Sequence, residues 1–242
     1  MRAVNFAKRN FKEIIRDPLS VIFAIALPLF LLFIFQQFNI PSDVYSIENF
    51  TPGIVIFSFA FITMFTATLV AKDRTTSLIT RLCASPMGIT DYILGYVIAV
   101  LPLVFIQNVL FFGAALLLGL KFGVNILLTI LVSIPLSLLF IELGILLGCV
   151  TTDRSSAGVS SIIVQLVAFT SGMYFEADMM GGFFNTLCKL LPFSGCLDIT
   201  KAVLNGTYEA LTSSVLTVII YTASITTLAS ILFKRKLESD TK

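Results

Sequence analysis

The sequence contains no histidine and no tryptophan, and only 12% of its 242 residues are charged. The lack of histidine excludes His-based catalytic triads and His-containing zinc sites. No G-x-x-x-x-G-K-[ST] motif occurs, so the chain has no P-loop to hold ATP phosphates. The net charge of +2 is too small to indicate nucleic-acid binding. The sequence therefore offers no metal or nucleotide site of a common kind.

Apolar residues dominate what is present. They make up 57% of the chain, and the mean hydropathy is +0.99, whereas soluble domains carry about 25% charged residues. Six apolar intervals are long enough to cross a bilayer as helices, the only open structures that satisfy their own backbone hydrogen bonds in lipid. The sequence predicts an all-α integral membrane protein, one domain over 1–242, with spans at about 19–39, 51–71, 92–119, 125–150, 156–175 and 211–233.

The basic residues predict the orientation of these spans. With six spans, both termini lie on one side, and 13 of the 16 Lys and Arg residues fall on that side. Only Lys121, Lys189 and Lys201 fall on the other side. The positive-inside rule makes the basic side cytoplasmic.

The N-terminal segment 1–17 has the pattern of an interfacial helix. Val4, Ala7, Phe11, Ile14 and Ile15 fall within an arc of roughly 100°, with basic residues opposite. Such a helix lies on the cytoplasmic leaflet. Phe6 falls outside the arc, and the alternative is a solvated basic tail.

Two longer segments separate the spans. The external segment 176–209 is apolar but broken at Gly181-Gly182 and Pro192, which predicts two short helices that re-enter the outer leaflet. Cys188 and Cys196 within it form either a disulfide or two buried thiols.

The cytoplasmic region 72–90 predicts a short amphipathic helix. Leu78, Ile79 and Leu82 share one face, whereas Arg74, Ser77 and Arg81 share the other. We expect Thr75 or Thr76 to cap its start, Pro86 to stop it, and Thr90 to cap the next span. The alternative is a plain connecting loop.

This order of elements resembles the permease subunits of type-2 ABC exporters, such as bacterial drug and natural-product exporters, with an architecture similar to that of G-subfamily ABC pumps. The family's cytoplasmic pattern runs roughly acidic-x-x-Gly-Thr-Leu-x-x-Leu-x-x-x-Pro, and Thr76 stands where Gly is usual. The external segment carries Ser171-Gly172, Pro192-Phe193 and Leu197-Asp198, and Glu176 replaces a frequent Pro. The cytoplasmic pattern is matched by Asp73, Thr76, Ser77, Leu78, Arg81, Leu82 and Pro86.

The resemblance implies a half-transporter in a plasma membrane, with a bacterial source. Two permease subunits, identical or paired with a sister permease, bind two P-loop ABC ATPase subunits. Those subunits hold ATP and Mg²⁺, and this chain binds no cofactor or metal of its own. The cytoplasmic helix is then the coupling helix that contacts the ATPase, through Asp73, Arg74, Ser77, Leu78, Arg81, Leu82 and Pro86.

The resemblance also places the second and fifth spans beside a central substrate cavity. Phe57, Phe61 and Phe65 recur every four residues on the second span. Ser161 and Gln165 share a face of the fifth. These residues are the candidate path for an amphipathic substrate. The alternatives are core packing or lipid contact for the rings, and a bridge to a neighbouring helix for Gln165.

Glu142 is an acid well inside a span, a costly position that suggests a role. Its options are a hydrogen bond to a neighbouring helix, a pair with a cytoplasmic Arg, or a cation contact. An ion-coupled secondary transporter would use such an acid, but it would need more intramembrane charge. An intramembrane hydrolase would need a metal or nucleophile cluster. Within the family, a lipid-linked polysaccharide exporter is the other alternative.

Overall fold

The structure of the chain, a computed structural model, describes residues 2–38, 43–75, 88–175, 181–208 and 211–240. These residues form α-helices with one 3₁₀ turn at Asp43–Tyr45, and no β-strand occurs among them. The prediction of an all-α protein is therefore confirmed. The helices are α1 (Arg2–Arg16), α2 (Pro18–Gln37), α3 (Ile47–Thr75), α4 (Ile89–Leu117), α5 (Val124–Val150), α6 (Asp153–Thr170), α7 (Gly182–Leu190), α8 (Pro192–Asn205) and α9 (Leu211–Asp240).

Among the described residues, four helices are long and apolar enough to cross a membrane: α3, α4, α5, and α9 over Leu211–Arg235. The bent pair of α1 and α2, with 63° between Arg2–Arg16 and Val21–Gln37, supplies a fifth candidate. The chain is thus a multi-pass membrane protein. The predicted span 156–175 is shorter in the structure, because α6 ends at Thr170 and Gly172 follows with φ of +86°.

Helix α3 is the centre of the fold. Within its most apolar stretch, 83% of the residues are buried, whereas the corresponding figure for α9 is 17%. Helix α5 approaches α3 closely through Gly144 and Gly148. A methyl group at Gly148 would lie 2.6 Å from Val70 Cβ and 2.7 Å from Ala67 O. Small residues four positions apart let the two backbones meet, as in other membrane helix pairs.

A proline in α2 is compensated by a side chain from α4. Pro28 has no N–H, so the carbonyl of Ala24, four residues earlier, lacks its usual helical donor. The buried Gln107 side chain donates from Nε2 to that carbonyl at 3.1 Å. In a bilayer such a bond matters, because the lipid supplies no replacement donor.

The external segment confirms the prediction of two short helices. α7 and α8 meet at Leu191, and Pro192 is the first residue of α8. α8 is mostly buried and packs against α9, α5 and α3. Cys188 and Cys196 are both buried thiols, so the disulfide alternative is wrong for this structure. Burial raises the pKa of the Cys188 thiol.

The faces of α1 differ from the predicted arc. Phe6, which the arc left out, is 5% exposed and packs edge-on against Tyr92 and Tyr96 of α4 at 5.5 and 5.1 Å between ring centroids. Val4 and Ile15, which the arc included, are exposed. Tertiary packing against α4 rotates the buried face away from the one that hydropathy alone indicates.

Candidate functional site at the cytoplasmic end of α3

A buried carboxylate lies at the end of α3, where the predicted coupling region begins. The Asp73 side chain is 1% exposed, and its Oδ1 accepts a hydrogen bond from Arg9 Nη1 of α1 at 2.6 Å. Its Oδ2 accepts from the Tyr96 hydroxyl of α4 at 2.9 Å. A buried charge persists only when it is paired and hydrogen-bonded. Asp73 therefore ties the end of α3 to two other helices.

Local packing positions Arg9 for this contact. Arg9 Nη1 also donates to Asn10 Oδ1 at 2.8 Å, and Asn10 is fully buried. One turn earlier, Phe6 lies against Gly95 of α4, where a Cβ atom would come within 2.4 Å of Phe6 Cδ1. Glycine at 95 is thus required for the close approach of α1 to α4. That approach fixes the rotation of α1 and aims Arg9 at Asp73.

A second ion pair joins α1 to α3, the two helices that the Arg9–Asp73 pair connects. Lys72 Nζ of α3 donates to Glu13 Oε1 of α1 at 2.6 Å. The hydrogen bond from Lys72 lowers the pKa of the Glu13 carboxyl below its usual value. This pair is more exposed than Arg9–Asp73, so it contributes less to stability. Glu13 lies one turn after Arg9 on α1, so two successive turns of α1 each form an ion pair with α3.

Arg74 attaches the end of α3 to α5. Its Nη1 donates to the carbonyl oxygens of Gly148, Cys149 and Thr151 at 2.9, 2.5 and 3.2 Å. Two of these carbonyls belong to the last turn of α5, where they lack helical donors. A cation there also favours the negative end of the helix dipole. Adjacent residues of α3 thus hold α1, α4 and α5.

The far end of the coupling region is held at the start of α4. Gly88, rather than Thr90, is the N-cap, and its N–H donates to Asp91 Oδ2 at 3.1 Å. The expected cap at Thr90 is wrong because α4 begins at Ile89, two residues before the start that a cap at Thr90 would give. Thr75 ends α3, and its hydroxyl donates to Lys72 O at 2.9 Å; the predicted helix that Thr75 or Thr76 would cap lies outside the described residues. The other predicted contact residues, Ser77, Leu78, Arg81, Leu82 and Pro86, lie outside the described residues.

The phenylalanine stripe of α3 is nearly buried within the chain. Phe57, Phe61 and Phe65 are 6%, 8% and 7% exposed, whereas most of their neighbours on α3 are at 0%. Phe57 and Phe61 form an edge-to-face pair at 5.2 Å. The stripe therefore packs within the fold and lies on the less covered face of α3, since Met64 on the same side is half-buried.

Ser161 and Gln165 lie on the outer face of α6. Both are exposed, and Ser161 Oγ donates to the carbonyl of Gly158 at 2.7 Å. The opposite face of α6, which includes Ser160 and Val164, is buried and packs mainly against α3. Ser161 and Gln165 are therefore not covered by the described residues. Their helix, α6, packs against α3, which carries the phenylalanine stripe.

Glu142 is held by a neighbouring helix. It is 8% exposed, and the Thr226 hydroxyl of α9 donates to its Oε2. Of the three predicted options, the described residues provide the helix-to-helix hydrogen bond. Arg74 is engaged with the end of α5 instead. No group of three or more Cys, Asp or Glu side chains in the described part of the chain is arranged to hold a metal ion.

The partners in this site could not be identified from the sequence. Arg9 is 64 residues from Asp73, and Thr226 is 84 residues from Glu142. Arg9 belongs to a basic N-terminal face, and Thr226 is one of several hydroxyl residues in α9. Asp73 and Arg74 were indicated by the family resemblance and Glu142 by its place inside a span, but no signal identified the partners of these residues.

The side chains of this site join α3 to α1, α4 and α5, so the site can anchor a mechanical input. A family model for the ABC-2 type transporter matches residues 4–205, most of the chain. No curated protein matches it. The matched region includes α1, the α3 anchor, the predicted coupling region and both external helices. The chain therefore belongs to the ABC-2 type transporter family, as a membrane permease that works with separate ATPase subunits.

Proposed function

We propose that this chain is the membrane subunit of an ATP-driven exporter, which moves an amphipathic substrate out of the cytoplasm. A drug, an antibiotic peptide or a lipid-like molecule fits that description. Two P-loop ABC ATPase subunits bind ATP and Mg²⁺, and two permeases, either identical or sisters, form the membrane unit. Switching between inward- and outward-facing arrangements carries the substrate across.

The anchoring of α3 is the observation that carries this proposal. Residues 76–87 connect Thr75 to Gly88, and both ends are attached to the fold. A push on this segment acts directly on Asp73 and Arg74, which bond α1, α4 and α5. Force from an ATPase is therefore transmitted to α3 and to the three helices bonded to it, α1, α4 and α5. A free loop would lose that force in local motion.

The exposed face of α6 supports the proposed substrate path. A second permease placed against this face would enclose Ser161 and Gln165 beside α3, the helix that carries Phe57, Phe61 and Phe65. The resulting wall would be polar on one helix and aromatic on the next. Such a surface suits amphipathic molecules, because pockets usually combine apolar walls with a few polar groups.

Six spans, with both termini in the cytoplasm, complete the proposed topology. Helices α2 and α6 have 20 and 18 residues, or about 30 and 27 Å by helical rise, which matches a hydrocarbon core of about 30 Å. The ion pairs of Arg9 and Lys72 then lie at the cytoplasmic surface, where the positive-inside rule puts them. α1 lies along this surface.

Proline at Ile79 tests the proposal. The change costs roughly 3 kcal/mol in a helix interior, so it should break the predicted coupling helix while the spans stay inserted. In a complex with its P-loop ATPase partner, this variant should bind the ATPase weakly, or allow hydrolysis without export. Ile79→Leu is the matched control. Normal export by Ile79→Pro at wild-type abundance, or ATP hydrolysis by the lone chain, would contradict the proposal.

A further inference from the structure

Helix α1 has three distinct faces. One face, with Phe6, Asn10 and Ile14, is buried against the fold. The second carries Arg9 and Glu13 to their partners on α3. The third face points outward, and none of the described helices covers it. Two faces of α1 therefore hold it against the rest of the chain, and the third is left exposed.

The outer face combines an apolar strip with a basic strip. Val4 and Ile15 are 44% and 60% exposed, and they lie about 20° apart around the helix axis at 3.6 residues per turn. Lys8 follows about 20° further round, and Lys12 and Arg16 each lie about 40° beyond the one before. All three basic side chains are exposed.

The basic strip carries more charge than its nearest acidic residue can neutralise, because Asp17, which follows Arg16, supplies one negative charge against three positive ones. Glu13 is the only acid within Arg2–Arg16, and it is bonded to Lys72. Asp73 is bonded to Arg9 and buried. Neither of the two ion pairs in the described residues includes a side chain of the basic strip. The outer face therefore presents a net positive charge beside exposed apolar side chains.

We infer that the outer face of α1 binds anionic phospholipid of the cytoplasmic leaflet. With α2 crossing the bilayer, the 63° bend between the two helices tilts α1 toward the plane of the membrane surface. There, Val4 and Ile15 enter the acyl boundary while Lys8, Lys12 and Arg16 meet the lipid phosphates. An acidic soluble partner would match the charge alone and would leave the apolar strip in water.

The same lipid also regulates the coupling site, a consequence that rests on the proposed function. α1 carries Arg9 to Asp73 and Glu13 to Lys72, so whatever fixes α1 also fixes the partners of the α3 end. Without anionic lipid, α1 loses one of its three attachments. ATP hydrolysis should then become less tightly linked to export.

The absence of native tryptophan allows a direct test. In full-length chain carrying Ile15→Trp in nanodiscs, brominated phosphatidylglycerol should quench the tryptophan about fivefold more effectively than brominated phosphatidylcholine at equal mole fraction. Adding Lys8→Gln, Lys12→Gln and Arg16→Gln should reduce that ratio to near one. Ile220→Trp, on the 61% exposed Ile220 of α9, should show a ratio near one throughout.

A matched charge control separates the basic strip from cationic charge in general. Lys234→Gln with Arg235→Gln removes two exposed charges near the end of α9 and should leave the quenching ratio of the Ile15→Trp chain unchanged. High salt should reduce the ratio, since screening weakens exposed charges. Equal quenching by both lipids in the Ile15→Trp chain would overturn the inference, whatever the chain transports.

Coupling is measured separately, as ATP hydrolysed per substrate exported by the complex with its ATPase. That number should rise when phosphatidylglycerol is withheld, and the triple glutamine variant should show the raised value in both lipids. A lipid-independent value alongside selective quenching would overturn the regulatory role alone. A complex with no ATP-driven export would refute the proposed function and leave the quenching result intact.

Discussion

Replacing Arg9 by methionine should destabilise the protein more than replacing Arg9 and Asp73 together. Methionine keeps the unbranched stem of arginine and removes its charge. Asp73, at 1% exposure, would then be a buried carboxylate without the guanidinium that balances it. In the double variant, Arg9→Met with Asp73→Asn, no charge is buried, and the asparagine oxygen still accepts the Tyr96 hydroxyl bond. Asp73→Asn should therefore restore most of the stability that Arg9→Met removes.

The size of this effect follows from two limits. Removing one partner of a buried ion pair costs about 3–5 kcal/mol, and the 37% exposure of Arg9 favours the lower end. The unpaired Asp73 carboxylate can instead become neutral by binding a proton. The free-energy cost of that protonation is roughly 4 kcal/mol at pH 7 and roughly 2 kcal/mol at pH 5.5. Arg9→Met should therefore cost about 3 kcal/mol at pH 7 and about 2 kcal/mol at pH 5.5. The double variant should cost about 1 kcal/mol at either pH.

Thermal unfolding with a thiol-reactive dye measures these differences. Cys149, Cys188 and Cys196 are buried, so we expect them to label only when the chain unfolds; the fourth cysteine, Cys83, is replaced by Ser in every chain compared. For a chain of this size, a loss of 3 kcal/mol lowers the Tm by roughly 6–12 °C. Lys12→Met, an exposed change on the same helix, should stay within about 0.5 kcal/mol of wild type. If the double variant were no more stable than Arg9→Met, the proposed pairing of Arg9 with Asp73 would be refuted.

Gly148→Ala should destabilise by about 1–3 kcal/mol, because the new methyl meets the α3 backbone. Gly113→Ala, with nothing within 4 Å, should be neutral or stabilising by up to about 1 kcal/mol, and equal Tm shifts would contradict the close α3–α5 contact. Phe61→Leu should change which amphipathic compounds are exported and leave stability within about 1.5 kcal/mol; an unchanged export profile would remove the ring from the substrate path. Glu142→Gln, which still accepts the Thr226 bond, should export normally, and a stable variant without export would require the ionised carboxylate.

The positions of the helices were largely predictable because lipid demands long apolar runs. The break at Leu191 was also predictable, since Pro192 lacks an N–H and suits the first turn of a helix. The early end of α6 was not predictable from hydropathy, because apolar residues continue past Thr170 through Met173 to Phe175. There the positive φ of Gly172 ends the helix.

The candidate site was predictable only as a location. Asp73 was indicated by its match to the family's cytoplasmic pattern, but nothing in the sequence selects Arg9 over the other basic residues of α1. Phe6 was misassigned for a related reason. The helical period identifies an apolar arc on α1, but the contact point between α1 and α4 depends on Gly95, which leaves room for the Phe6 ring. Contacts between distant helices depend on shape, which a one-dimensional pattern does not contain.

Pro28 and Gln107 constrain the order in which this sequence can change during evolution. Loss of Gln107 alone leaves the Ala24 carbonyl without a donor in hydrocarbon, where each unsatisfied backbone group costs several kcal/mol. Loss of Pro28 alone restores the N–H of residue 28 to that carbonyl, and the released glutamine side chain can rotate to another acceptor. Lineages that retain Pro28 should therefore keep a donor at position 107, whereas lineages that have replaced Pro28 can lose the glutamine later.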